Sequence, residues 1–145
     1  MIRNIGITLT GSICFLFIGL ICNAQPSGTL TIDATNFKSD NCVAVVHLFR
    51  KQDDVPKKPF IEASHAIING KSKIVFQNLV YGEYAAILFH DENSNEKLDH
   101  RFGLPNEPMG FSNNWKLSLF SGMPTFQKLR FEFNENKSTC RMTIR

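Results

Sequence analysis

The chain has little that marks a common enzyme or a nucleic-acid binder. No G-x-S-x-G elbow occurs, so an α/β-hydrolase nucleophile is absent, and no H-E-x-x-H helix is present to hold a catalytic zinc. Formal net charge is only +3 over 145 residues, too weak a balance to bind nucleic acid or an anionic membrane through charge alone. Tryptophan occurs once and tyrosine twice. No stretch of residues 25–145 repeats apolar side chains at helical spacing, which excludes a helix bundle. Cysteine is scarce at four residues, and two of these, Cys14 and Cys22, fall in an N-terminal segment unlike the rest of the chain.

That segment, "MIRNIGITLTGSICFLFIGLICNAQ", places Arg3 ahead of an apolar run from Ile13 to Ile21 and closes on Cys22-Asn23-Ala24. This is the layout of a secretory signal peptide, with a small-x-small cleavage site. The run is shorter than the roughly 20 residues that span a bilayer. Ile21 is bulky for the position before a lipidated cysteine, which disfavours a lipoprotein anchor. The reading is a signal peptide at 1–24 and one domain at 25–145, secreted or periplasmic in the cell envelope of a bacterium. The mature chain has no transmembrane span.

An oxidising compartment invites the two remaining cysteines, Cys42 and Cys140, to form a disulfide. Such a bridge would close nearly the whole domain, a loop worth on the order of 4 kcal/mol in the chain-entropy model. The alternative is two free thiols packed as small hydrophobes.

What is present reads as strands. "TLTIDA" alternates Leu30, Ile32 and Ala34 against Thr29, Thr31 and Asp33, the period of a half-buried strand. "VAVVHLF" is continuously apolar, which suits a strand covered on both faces. "VPKKPF" interrupts as a loop or single helical turn. Asn69-Gly70 between two apolar runs predicts a two-residue hairpin turn, because both residues tolerate positive φ. "YGEYAAILFH" is apolar on both faces and therefore central, with Tyr84, Ala86, Leu88 and His90 opposite Ala85, Ile87 and Phe89. "LRFEF" and "TCRMTI" supply the last strands. The expected fold is all-β: a single antiparallel β-sandwich, Ig-like or prealbumin-like, of about seven strands. Residues 100–127 are too long for a plain loop and carry Phe102, Phe111, Trp115, Phe120 and Phe126. They are expected to fold back as a cover on one sheet face.

The most deliberate stretch is "HDENSNEKLDHRFGLP", His90 to Pro105. Asp91, Asn93, Asn95, the carbonyl of Lys97 and Asp99 stand at the alternate positions a calcium loop uses. The match is incomplete: Glu96 stands where glycine makes the sharp turn, and Phe102 where a bidentate glutamate would close the shell. Glu92, Glu107 or carbonyls of 103–110 could complete it. The competing reading is an Asn-rich turn whose side chains bond their own backbone without metal. His90, His47 and His65 lie in strands and read as packing residues, and the same spacing gives His90 and His100 only a weak claim on a metal.

The segment from Leu79 to Asn114, followed by "MPTFQKLRF", resembles the bacterial secreted family named domain of unknown function 2141. The likeness rests on Gly82/Tyr84/Ala85, the H-D-x-N-x-N-x-x-L-D loop from His90 to Asp99, Gly103/Pro105/Glu107, Gly110 to Asn114, and Pro124/Phe126. Members often carry glycine where this chain has Ser94 and Glu96. The upstream "FQNLVYGEY" is similar to a turn of transthyretin-like and carboxypeptidase-regulatory-like sandwiches. The resemblance implies an extracytoplasmic β-sandwich and assigns no activity. The functional expectation is a binding or structural module of the cell envelope, calcium-stabilised at 91–99, with an envelope protein or a glycan as partner. The alternatives are a small hydrolase using Asp91 and Asp99, and a carbohydrate- or peptide-binding module working through the 102–126 aromatic flap.

Overall fold

The computed structural model describes residues 24–145 except Gly103 and Leu119; the signal-peptide reading of residues 1–24 falls almost wholly outside the described residues. The elements run β1 (Ser27–Thr35), β2 (Val43–Phe49), β3 (Ile61–Ala66), β4 (Lys71–Val80), β5 (Gly82–Asp91), β6 (His100–Arg101), β7 (Leu104–Pro105) and β8 (Met109–Phe111). A 3-10 turn (Ser112–Asn114), a single helical turn α1 (Phe126–Leu129), β9 (Phe131–Phe133) and β10 (Thr139–Thr143) complete the chain.

Two main sheets face each other. The smaller has the order β10-β1-β4 and the larger β3-β2-β5-β8, with β9 also pairing β5. Their inner faces share one core: Leu30, Ile32, Ile74, Phe76 and Met142 from the first sheet meet Val46, Leu48, Leu88 and Phe133 from the second. The fold is the expected β-sandwich. Each of the largest core side chains contributes roughly 1.5–3 kcal/mol on burial. The pairing departs from purely antiparallel in one place, since β1 and β10 run parallel with Ile32 opposite Cys140.

The Asn69-Gly70 turn has the positive φ that its sequence requires, 53° and 69°, and its neighbours Ile68 and Lys71 pair across it. It does not, however, make a continuing hairpin. β3 pairs with β2, whereas β4 pairs with β1, so the chain changes sheets at the turn. Burial explains the split: Ile74 and Phe76 on β4 need the core, while β3 is mostly exposed. The Asp40 carboxylate fixes the corner, accepting from the Asn69 and Gly70 amides at 2.7 Å each.

At the other end of the chain, the Arg145 and Met109 backbones exchange hydrogen bonds of 2.9 and 3.1 Å, linking the last residue to β8. A Cβ on Gly110 would stand 3.1 Å from the Thr143 carbonyl oxygen, so glycine permits this close approach.

The expected disulfide is not formed; both cysteines are free thiols. Cys42 precedes β2 in the larger sheet and its Sγ lies 3.2 Å from the Glu92 carbonyl oxygen. Cys140 is buried in the smaller sheet among core side chains, and burial pushes its thiol up to about 12. Cys140 in the native protein is therefore expected to resist iodoacetamide at pH 8, whereas both cysteines should label once the chain is unfolded without reductant. Mass spectrometry reads the count. A single adduct in native protein and two after unfolding is the expected pattern, and none after unfolding would mean a bridge.

Candidate functional site

The site is organised along one face of one strand. β5 is central, paired to β2 on one side and to β8 and β9 on the other. Side chains alternate across a strand, so Ala85, Ile87, Phe89 and Asp91 all point away from the sandwich core. They span about 20 Å, and each stretch of this row has a different cover.

At Ala85 the cover is α1. Phe126 and Leu129 pack there with Phe49, Ile87 and Phe111, and Trp115 leans on this cluster. The sequence suggested that a strand begins at Leu129, but Leu129 ends a helical turn, and β9 begins only at Phe131. One turn is too short to leave a periodic apolar pattern. Ser112 locks the cover to the strand. Its fully buried hydroxyl oxygen accepts from the Ala86 amide at 2.9 Å, and its proton reaches the Ala86 and Leu129 carbonyls at 3.1 and 2.5 Å. Ser112 thus continues the β5–β8 ladder one residue beyond its last backbone pair, Ile87 with Phe111.

At Asp91 the cover is a polar knot. Asp91 is fully buried, with one carboxylate oxygen accepting from the Asn95 amide at 3.1 Å and the other from the Glu96 amide at 2.8 Å. The Asn93 and Asn95 side-chain oxygens accept from the amides two residues on, at 3.1 and 2.8 Å. These are Asx turns, and Ser94 and Glu96 take the positive φ of 59° and 58° that the bends require. The two asparagine Nδ2 groups then donate to the two oxygens of Asp99, at 2.6 and 3.2 Å. Glu107 closes the knot from the next turn, accepting from the Glu92 and Asp99 amides at 3.1 and 3.2 Å.

The structure therefore brings Asp91, Asn93, Asn95 and Asp99 together, and adds Glu107. Their oxygens are engaged by backbone and amide donors. Among the described residues no three His, Cys, Asp or Glu side chains are grouped to hold one metal ion. Lys97 contributes its amide to the knot rather than its carbonyl. Burial raises the Glu107 carboxyl above its ordinary range; the two amides oppose this, and the negative charges of Asp91 and Asp99 add to it.

Between knot and helix lies a cavity of about 400 Å³, floored by Ile87, Phe89 and His47 and walled by Met109 and Phe111. Leu98, His100, Leu104 and Pro105 from one loop and Leu117, Met123 and Pro124 from the other form its cover. Its volume falls within the roughly 300–1,000 Å³ of small-molecule sites, and its lining is mostly apolar, as such sites are. A larger depression of about 780 Å³ lies elsewhere, beside β9 and β10, but Asn113, Glu132, Lys137 and Arg141 make it a solvated polar groove. The smaller cavity is the better site on chemistry.

His47 stands on the cavity floor, edge-on to Phe89 with centroids 5.3 Å apart. Burial lowers its pKa, which Glu62 at 3.7 Å only partly offsets, so the site favours the neutral ring. His90 is a packing residue as expected: it is buried, its Nε2 lies 2.8 Å from the Asn41 carbonyl oxygen, and it meets Phe37 edge-on. His65 is exposed on β3.

The aromatic flap divides. Phe111 and Phe126 are buried, and half-buried Trp115 sits edge-on to Phe111 at 4.8 Å, whereas Phe102 and Phe120 are 94% and 99% exposed. The segment folds back as a cover through Phe111, Trp115 and Phe126, while Phe102 and Phe120 stay on the two covering loops in solvent. Ser112 and the cavity itself were not singled out by sequence reasoning. Only the segment Gly110 to Asn114 had drawn attention, without a role for its serine.

A family model described as an uncharacterized protein conserved in bacteria (DUF2141) matches residues 32–141. The chain belongs to the DUF2141 family. The match runs from β1 through β10, so this DUF2141 domain includes the knot, the cavity and both covering loops. No curated protein and no solved structure matches the chain. No helix among the described residues of this DUF2141 chain is long and apolar enough to cross a membrane.

Proposed function

We propose that this domain is an extracytoplasmic binding module of the bacterial cell envelope, and that its site is the cavity on the outer face of β5. The observation that carries this reading is the row Ala85, Ile87, Phe89, Asp91: helix and knot anchor the cover at its two ends and leave an apolar space between. The N-terminal layout of Arg3, an apolar run and Cys22-Asn23-Ala24 supports export. The knot holds the loop that forms one wall. Calcium would strengthen it only if the knot rearranged, because the Asp91 and Glu107 oxygens accept backbone amides and the Asp99 oxygens accept from Asn93 and Asn95. To bind, Asn93 and Asn95 would have to turn their oxygens toward the ion.

The hydrolase reading is weaker. A general base needs a free oxygen within reach of substrate, and Asp91 has both oxygens on backbone amides and no solvent access. Stacking of a sugar on Trp115 is also disfavoured, since the ring is half-buried in a T-shaped pair with Phe111 and Lys128 Nζ lies 5.7 Å from its centre.

The neutral fluorophore N-phenyl-1-naphthylamine tests the cavity. Its emission should rise saturably, with a dissociation constant on the order of micromolar. Met109→Trp, which takes up part of the space, should weaken binding about tenfold while leaving the melting temperature near wild type. An emission that never saturates would overturn the reading. Calcium is tested separately: a site filled at ten times its dissociation constant adds about 1.4 kcal/mol. An unchanged melting temperature at several millimolar calcium would leave the knot a metal-free device.

A further inference from the structure

Resting on that reading of the cavity, we propose that its ligand is a single-chain amphiphile with an anionic head, such as a fatty acid. Two independent features of the lining point to it. The first is the asymmetry of its polar groups. Lys57 and His100 line the cavity and are exposed to solvent, His47 lies on the floor, and no carboxylate lines it among the described residues. Lys57 takes part in no ion pair among the described residues, so its ammonium is available to an incoming anion. Burial of His47 disfavours a charge on the floor. An apolar interior with its lysine at a solvent-facing position suits a hydrocarbon chain inside and a carboxylate outside.

The second feature is the rim. Leu104, Leu117 and Met123 line the cavity yet are 59%, 41% and 65% exposed, and the nearly bare Phe102 and Phe120 belong to the same two loops. Apolar side chains concentrated at one opening continue the interior surface outward. A chain longer than the cavity would keep apolar contact as it emerges. Phe102 adjoins Arg101, whose guanidinium carbon lies 5.6 Å from its ring centre, so the rim also carries a cation.

Such a ligand could reach the cavity from solution or from a bilayer. Calorimetric titration of the purified protein with decanoate, decanol and decyltrimethylammonium, which share one chain length, tests the head-group claim. Decanoate should bind about tenfold tighter than decyltrimethylammonium, and Lys57→Gln should remove most of that preference while leaving decanol binding unchanged. Equal affinities for all three would overturn the anionic head while the cavity, reported by the neutral fluorophore, still stood. Failure of every chain and of the fluorophore would remove the cavity reading as well. Vesicles of phosphatidylglycerol distinguish the source. If ligand comes from a bilayer, Phe102→Ser with Phe120→Ser should abolish co-sedimentation while decanoate is still preferred to decyltrimethylammonium. If it comes from solution, wild type should not sediment with vesicles yet should still prefer decanoate.

Discussion

Replacing Asp91 with alanine should destabilise the domain by about 3 kcal/mol in urea unfolding, and should expose residues 92–99 to rapid amide exchange. In a bend with positive φ the Glu96 amide loses its acceptor and the Asn95 amide keeps only the Asn93 side-chain oxygen, while the carboxylate removed is fully buried. Hydrogen bonds to a charged group contribute roughly 1.5–3 kcal/mol each, and a buried donor left unpaired bears its full desolvation penalty. An opposing effect must be weighed, because removing a charge relieves the repulsion that Asp91 exerts on Glu107. Asp91→Asn separates the two: it keeps one acceptor and the shape, sheds the charge, and should cost about 1 kcal/mol. If alanine and asparagine were equally mild, within about 0.5 kcal/mol of wild type, the knot would not be what holds the loop.

Ser112→Ala should be nearly as severe, about 2–3 kcal/mol, although it removes a single oxygen atom. That oxygen serves the amide and carbonyl of Ala86 and the carbonyl of Leu129, in buried surroundings. Leaving buried backbone groups unpaired costs roughly 1–3 kcal/mol apiece when water cannot enter. The loss should appear both in urea unfolding and as weaker fluorophore binding, because α1 would undock from the face of β5 that borders the cavity. Thr substitution retains the hydroxyl and should recover part of the stability if the methyl group is accommodated. A Ser112→Ala protein within about 0.5 kcal/mol of wild type would show that packing of Phe126 and Leu129 suffices.

The strands were legible because their signal is periodic. Leu30, Ile32 and Ala34 sit in the core as their alternation requires, and β2 occupies Val43–Phe49, the span of its apolar run. β5 reads as central because both of its faces are apolar, and it is central. Partnering was less legible. Asn69-Gly70 announces a turn, but whether the following strand folds back or crosses to another sheet depends on which face the rest of the chain leaves uncovered. The parallel pairing of β1 with β10 joins residues more than a hundred positions apart, and no local pattern encodes it.

At the site, Asp91, Asn93, Asn95 and Asp99 stand out by their alternation, and the structure ties them together by hydrogen bonds. They could not say whether an ion or the backbone amides would be at the centre, because Asx turns and calcium loops use the same residues. The cavity left no sequence signal, since Ile87, Phe89 and Met109 look the same whether packed against protein or facing a space. Phe102 and Phe120 misled for the same reason: an aromatic side chain in a loop reads as core until the surface it would cover is known.

Amide chemical-shift mapping is the most direct test of a ligand cavity on the outer face of β5. With uniformly ¹⁵N-labelled protein titrated with decanoate, the account predicts saturable shifts at His47, Ile87, Phe89, Met109 and Leu117. The inward-facing residues of β1 and β10 should stay still. Shifts centred instead on the polar groove at Asn113, Glu132 and Arg141, or no saturable shifts anywhere, would contradict it.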